Sequence, residues 1–329
     1  MTRRSSHILR AGIAIAIFVA MYAGSVVLPK AQLFTLTDVL ILGLFATSYN
    51  ILLGYGGQLS FGHSAYFGLG AYSCALMLLH VPGIAPPLAM LGGVGVAALG
   101  GLVIGFICVR RSGAYFSMLT LAFGMLCYTA AWKWRTVTQG DDGFGAFVPA
   151  EWVFPLIGSI KTGDLAQMYR VVLVIVAVVL LVTWLLMNHT PYGNAIRSIR
   201  QNEERASFLG YDVFFAKLVN YVLASAVAGL AGSLLVISHN FVSTDVIGID
   251  RSTEVVMMTY IGGTGWFFGP LLGSAFVVVV GDLLATVTTR WQLVMGVLFI
   301  LMVMYAPKGF SGVVRYLFDR SALERRRPL

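Results

Sequence analysis

Long apolar runs make up most of the chain, so the positions that carry information are the polar ones between them. A membrane-crossing helix needs about 20 consecutive apolar residues. Runs near that length fall at roughly 11–29, 36–53, 62–80, 87–109, 114–132, 169–187, 217–238, 252–266, 267–287 and 291–306. The pattern predicts about ten spans. The eighth and ninth runs touch at Gly265–Trp266, and a re-entrant turn there would reduce the count to nine. Arg3 and Arg4 precede the first run as they would in a signal peptide, but the run is long and no A-x-A site follows it, so it reads as a first span. The most informative polar interruption is Arg197–Gly210, where Ile199, Ala206, Phe208 and Leu209, with Ala195 and Ile196 just ahead of it, are interspersed with charges and amides. That spacing suits short surface helices ending at Gly210.

Composition agrees with an all-α polytopic membrane protein. The chain is 58% hydrophobic and 11% charged, with a mean hydropathy of +0.84, whereas soluble domains carry about 25% charged residues. The net charge of +8 comes from basic residues at the ends of apolar runs, a topology signal rather than the footprint of a nucleic-acid binder. With the N-terminus in the cytoplasm, fifteen of the 22 Lys and Arg fall inside: Arg3, Arg4, Arg10, Arg110, Arg111, Arg197, Arg200, Arg205, Lys217, Lys308, Arg315, Arg320 and Arg325 to Arg327. Both termini are then cytoplasmic, and so is the Arg197–Gly210 segment. That segment can dock a soluble partner, or it can be a solvated connector whose arginines only set orientation.

Ten spans divide into two fives of opposite orientation, an inverted five-plus-five arrangement, although no sequence repeat is evident. The outer loop, about 133–168, and the flanking Trp132 bring together Trp132, Trp134, Trp152, two prolines and mixed charge. It suits an interfacial cap or a docking surface, and an aromatic belt explains the tryptophans equally well. Asp38, Glu254 and Asp282 are the acidic residues within runs. Helix-end pairing, with Arg251 for Glu254, accounts for them better than a proton relay.

Several chemistries are unsupported. The five lysines follow Pro29, Trp132, Ile160, Ala216 and Pro307, so no G-x-x-x-x-G-K-[ST] loop exists and the chain does not hydrolyse ATP alone. There is no H-E-x-x-H. Cys74, Cys108 and Cys127 lie inside apolar runs without C-x-x-C spacing, so neither a metal site nor a disulfide framework is indicated. Ser60 and His63 have no nearby acid to complete a triad. The chain reads as a non-enzyme without a cofactor of its own.

Two glycine-rich segments stand out. Gly54-Tyr55-Gly56-Gly57-Gln58-Leu59-Ser60-Phe61-Gly62-His63 interrupts apolar sequence without any charge. Irregular backbone at membrane depth is tolerated only where protein or a water-filled cavity covers it, so Gly56, Gly57, Gln58, Ser60, His63 and Tyr66 are candidates to line a translocation path. A tight turn followed by close packing through Gly62, Gly68 and Gly70 is the competing reading. The second segment contains Gly262, Gly263, Gly265, Gly269 and Gly273, the last two at G-x-x-x-G spacing, and reads chiefly as helix packing. Pro270 suits a helix start.

Tyr49–His63 with Phe67–Tyr72, Tyr115–Gly124, Gly262–Gly273 and Ala306–Phe310 together resemble, in order and over nearly the whole chain, the permease subunits of ABC importers for branched-chain amino acids. The resemblance implies a single transmembrane permease domain over 1–329 with a cytoplasmic coupling loop at about 188–216. Gly193, Arg197, Arg200, Asn202, Glu203, Ala206, Leu209 and Gly210 match that loop, whereas Arg205 and Ser207 depart from it. The outer segment 140–145 resembles a T-G-G-x-x-G-type sequence altered by Asp141 and Asp142. The resemblance further implies a bacterial inner-membrane location, a second homologous permease, two cytoplasmic subunits that bind ATP and Mg, and a periplasmic solute-binding protein that supplies selectivity. Branched-chain amino acids or a related small polar solute would be carried. A stand-alone channel or secondary transporter is the rival, in which the polar loop has no purpose.

Overall fold

The computed structural model describes residues 21–22, 24–25, 28–154, 158–306, 309–310 and 312. Most of the first predicted span, 11–29, and Lys308 with the basic residues of the C-terminal tail lie outside the described residues. The remainder is predominantly helical. Helix α1 (Lys30–Asn50) continues as a π-helical turn, Ile51–Tyr55, and is followed by α2 (Ser64–His80), α3 (Pro86–Cys108) and α4 (Ala114–Lys133). Then come α5 (Leu165–His189), the short α6 (Pro191–Gln201) and α7 (Glu203–Phe208), and α8 (Val213–His239). Helices α9 (Ile249–Gly262), α10 (Gly269–Val287) and α11 (Trp291–Tyr305) complete the bundle.

Among the described residues, six helices are long and apolar enough to cross a membrane: α1 with its π turn, α3, α4, α5, α8 and α10. The spans of α1 and α8 are 83% and 72% buried against 28–39% for the other four, so α1 and α8 form the centre and the others turn an apolar face outward. The eighth and ninth runs are two helices joined by a turn at Thr264–Phe268. They pack antiparallel: a Cβ at Gly262 would overlap the Gly269 carbonyl, and one at Gly273 the Met258 carbonyl. Gly265 takes no part in this packing, with nothing within 4 Å of its Cβ position.

Side-chain contacts define two ends of the bundle. At one, Asp38 of α1 pairs with His239 of α8 (2.8 Å), and Thr35 donates to Asp282 of α10 (3.1 Å). The same end carries the loop region, where β1 (Phe144–Gly145) pairs antiparallel with β4 (Phe241–Val242), and β2 (Glu151–Phe154) with β3 (Gly158–Lys161). Asp141 joins this cap to the helices, accepting from Trp132 Nε1 (2.7 Å) and Thr244 Oγ1 (2.7 Å). At the other end lie the π turn, the α6–α7 loop and the α9–α10 turn. Arg251 and Glu254 form the i,i+3 pair read from the sequence, at 2.7 Å. The three cysteines are unpaired.

Helices α2 and α9 are shorter, 17 and 14 residues, because both begin inside the bundle. Their first turns meet there. The Ser64 amide donates to Ser252 Oγ (3.1 Å), the Ser252 hydroxyl to Ser64 Oγ (2.7 Å), and the Ser64 hydroxyl to the Ile247 carbonyl (2.7 Å). Ser64 and Ser252 are each 1% exposed. These bonds satisfy helix-start groups that neither water nor lipid reaches.

Candidate functional site

The break in the first glycine-rich segment begins within α1. The sequence pattern up to Leu53 reads as uninterrupted helix, but the last turn widens so that the Gly56 amide reaches back five residues to the Ile51 carbonyl (3.2 Å). Gly57 then takes φ +68°, a conformation open to glycine and strained for a residue with a Cβ. The chain runs on through Gln58–Phe61 without helical bonds, and neighbours take up its polar groups. Ser117 of α4 donates to the Leu59 carbonyl (2.7 Å), and the Phe61 amide donates to Thr120 Oγ1 (3.2 Å). Gly62 lies against the α4 backbone, where a Cβ would overlap the Thr120 carbonyl. Thus Tyr115–Gly124, distant in sequence, is the wall that supports the break.

Four of the six candidate path residues are enclosed in this conformation, whereas Gly56 is half-buried and Gly57 exposed. Ser60 and His63 are 0% exposed, Tyr66 1% and Gln58 7%. His63 stacks on Phe45 with centroids 5.5 Å apart and bonds Ser48 Oγ through Nε2 (2.9 Å). Tyr66 and Tyr221 share a hydroxyl bond of 2.7 Å. Gln58 Oε1, Ser60 Oγ and His63 Nδ1 are buried without a partner in hydrogen-bond geometry. Polar atoms left in this way cost free energy, and they are the groups that would gain partners if the segment opened.

The polar loop is bonded directly to the break. Thr190, Asn202 and Asp212 cap α6, α7 and α8, accepting from the amides of Gly193 (3.4 Å), Arg205 (2.8 Å) and Phe215 (2.9 Å). Gly210, at φ +87°, ends the α7 region. Arg200 turns back into the bundle and donates to the Gly54 carbonyl on the π turn. Arg197 donates to the carbonyls of Met187 (2.8 Å) and Gly193 (3.1 Å). Glu203 pairs with Lys217, whose side chain is buried on α8. One turn further along α8, Asn220 donates to the Ile51 carbonyl (3.0 Å) and accepts from Tyr192 OH (3.3 Å). Gly193 fits closely under the end of α5, where a Cβ would overlap the Met187 carbonyl. Ala206 is buried, while Phe208 and Leu209 are 84% and 72% exposed.

The second glycine-rich segment arrives at the same place. A Cβ at Gly54 would lie 2.8 Å from the Thr264 carbonyl, and Asn50 donates to the Trp266 carbonyl (3.4 Å). Segments from opposite ends of the chain therefore frame the π turn together with the loop. Sequence reasoning missed Asn220 and Ser117. The available signal was an amide and a hydroxyl inside apolar runs, where a polar group needs a named partner. Lys217 was read only as a topology charge.

A multi-helical membrane bundle, interrupted by an enclosed irregular segment that a polar loop grips, has the architecture of a transport permease. The family described as branched-chain amino acid transport system permease components matches residues 32–305, and the chain belongs to it. It is 28% identical over 299 residues to the high-affinity branched-chain amino acid transport system permease protein LivM of Salmonella typhimurium, covering 84% of this chain and 68% of that one. The Escherichia coli LivM is likewise 28% identical over 305 residues, covering 85% and 69%. LivH of Salmonella typhimurium, a permease protein of the same system, is 22% identical over 282 residues, covering 82% and 90%. No solved structure matches significantly.

Proposed function

We propose that the chain is the translocation subunit of an ATP-driven importer in a bacterial inner membrane, with a branched-chain amino acid or a related small polar solute as cargo. The observation that carries this reading is the bonding of the polar loop to the break, by Arg200 to the Gly54 carbonyl and by Glu203 to Lys217 beside Asn220. A subunit without its own nucleotide site must draw energy from a partner. Differential docking of a loop in two partner states biases a bistable bundle.

In this account the loop has two sides. Arg197, Arg200, Glu203 and Ala206 hold it to the bundle, and the exposed Phe208 and Leu209 meet a cytoplasmic subunit that binds ATP and Mg. Closure of two such subunits displaces the loop, loosens the π turn and opens the segment that carries Gln58, Ser60 and His63. A second permease completes the passage, and a periplasmic binding protein delivers the solute. The whole of 1–329 acts as one permease domain of ten spans with both termini inside. The meeting of α2 and α9 start to start, running in opposite directions, supports the inverted five-plus-five arrangement.

The test is purification of the tagged chain from its native membrane in mild detergent. Recovery of an ATP-hydrolysing subunit and a second permease is the expected result. A chain recovered alone, with no associated ATP hydrolysis, refutes the importer reading and favours a channel.

A further inference from the structure

Beside the π turn, at the loop end of the bundle, lies a cavity of about 300 Å³ lined by Gly54, Trp184, Asn188, Arg197, Arg200 and Gly265, among others. Both guanidinium groups bond only neutral acceptors: Arg197 meets two carbonyls and the Asn194 amide oxygen, and Arg200 meets the Gly54 carbonyl. Among the described residues neither pairs with a carboxylate. The carbonyls closing α5 offset part of this charge. Two guanidinium groups on one cavity still leave it positive, and an anion would relieve their repulsion and use their remaining N–H groups.

The wall of α5 indicates which anion. Leu181, Trp184, Leu185 and Asn188 recur at i, i+3, i+4 and i+7, so they form one stripe. Leu181 and Leu185 are 56% and 44% exposed. An apolar strip on an outward-facing helix thus leads to a polar cavity at the end of the span, with an indole at the boundary. We propose that this cavity binds the phosphate of an anionic phospholipid between Arg197 and Arg200, with the acyl chains along Leu181 and Leu185. Because Arg200 also holds the Gly54 carbonyl, a bound phosphate would set how tightly the loop grips the break.

The inference rests on the membrane placement proposed above, but its readout needs neither ATP nor solute, so it can fail while the transport reading stands. The purified complex is placed in nanodiscs of phosphatidylcholine with increasing phosphatidylglycerol, and retained lipid is read by native mass spectrometry. Wild type should retain a phosphatidylglycerol that the double variant Arg197→Gln/Arg200→Gln binds about tenfold more weakly. Gly265→Glu keeps both arginines and, with nothing within 4 Å of the Cβ, adds a carboxylate without a clash there. It should weaken retention similarly, whereas Gly265→Ala should not. Equal retention in all variants overturns the proposal. Displacement of the lipid by inorganic phosphate alone assigns the site to a free anion and overturns the lipid assignment. A wild-type cavity covered by a partner subunit with no lipid retained overturns it too.

Discussion

Replacing Glu203 by Gln should loosen the loop by leaving the Lys217 ammonium buried without its carboxylate. The two side chains differ in environment: Lys217 is 7% exposed and Glu203 48%. Breaking a fully buried pair costs about 3–5 kcal/mol, and breaking an exposed one about 0.2–1 kcal/mol. A pair buried on one side belongs between them, at about 1–3 kcal/mol, or roughly a 5- to 150-fold rise in the open population of the loop. Hydrogen–deuterium exchange reads that population directly at the α7 amides, for example those of Ala206 and Leu209, which bond the Asn202 and Arg205 carbonyls. The penalty comes from an orphaned charge, so Glu203→Gln/Lys217→Met should recover most of the protection. Protection unchanged in Glu203→Gln, or single effects that simply add in the double variant, would show that the pair does not hold the loop.

Gly62→Ala should cost at least about 1–3 kcal/mol of thermal stability, since its methyl group would overlap the Thr120 carbonyl, while Gly265→Ala should leave stability unchanged. Scanning calorimetry of the two variants compares them. At the cap, the Thr244 hydroxyl, followed by the Trp132 indole, holds the Asp141 carboxyl below the usual carboxylate range. A group depressed in this way stabilises the fold above its unfolded value of about 3.9 and loses that contribution as pH falls further, through its folded pKa. Trp132 emission should therefore change in acid below about pH 4 in wild type but not in Asp141→Asn. Substituting Phe208 and Leu209 by Ser should abolish co-purification of the ATP-hydrolysing subunit while leaving the helical circular dichroism intact, because neither side chain is buried in the bundle.

The helices were legible because lipid and a protein core both demand unbroken apolar runs: nine of the ten runs coincide with helices, of which six are long and apolar enough to cross a membrane, and the first run lies mostly outside the described residues. The loop helices were legible through the spacing of their apolar positions and Gly210, which act locally; their caps at Thr190, Asn202 and Asp212 emerge only in the structure. The π turn was not, since Ile51-Leu52-Leu53 continues the apolar run and only the later placement of Asn220, 169 residues away, shows which carbonyl it exposes. The direction of Arg200 was equally hidden. A polar residue on a short helix reads as facing solvent until the chain is seen to fold the π turn beneath it. Gly265 misled in the opposite sense, because glycine in a cluster looks like packing and here it marks open space. Asp141 acquires a reason only when Thr244 is brought against it.

The most direct test of the account is the number of solute molecules moved per ATP hydrolysed by the complete complex in proteoliposomes, for wild type and for Arg200→Gln. The account predicts continued ATP hydrolysis with transport reduced about tenfold, because the loop still meets the ATP-hydrolysing subunits but has lost a charge-assisted bond to the π turn. An unchanged ratio would contradict the claim that Arg200 links the loop to the break.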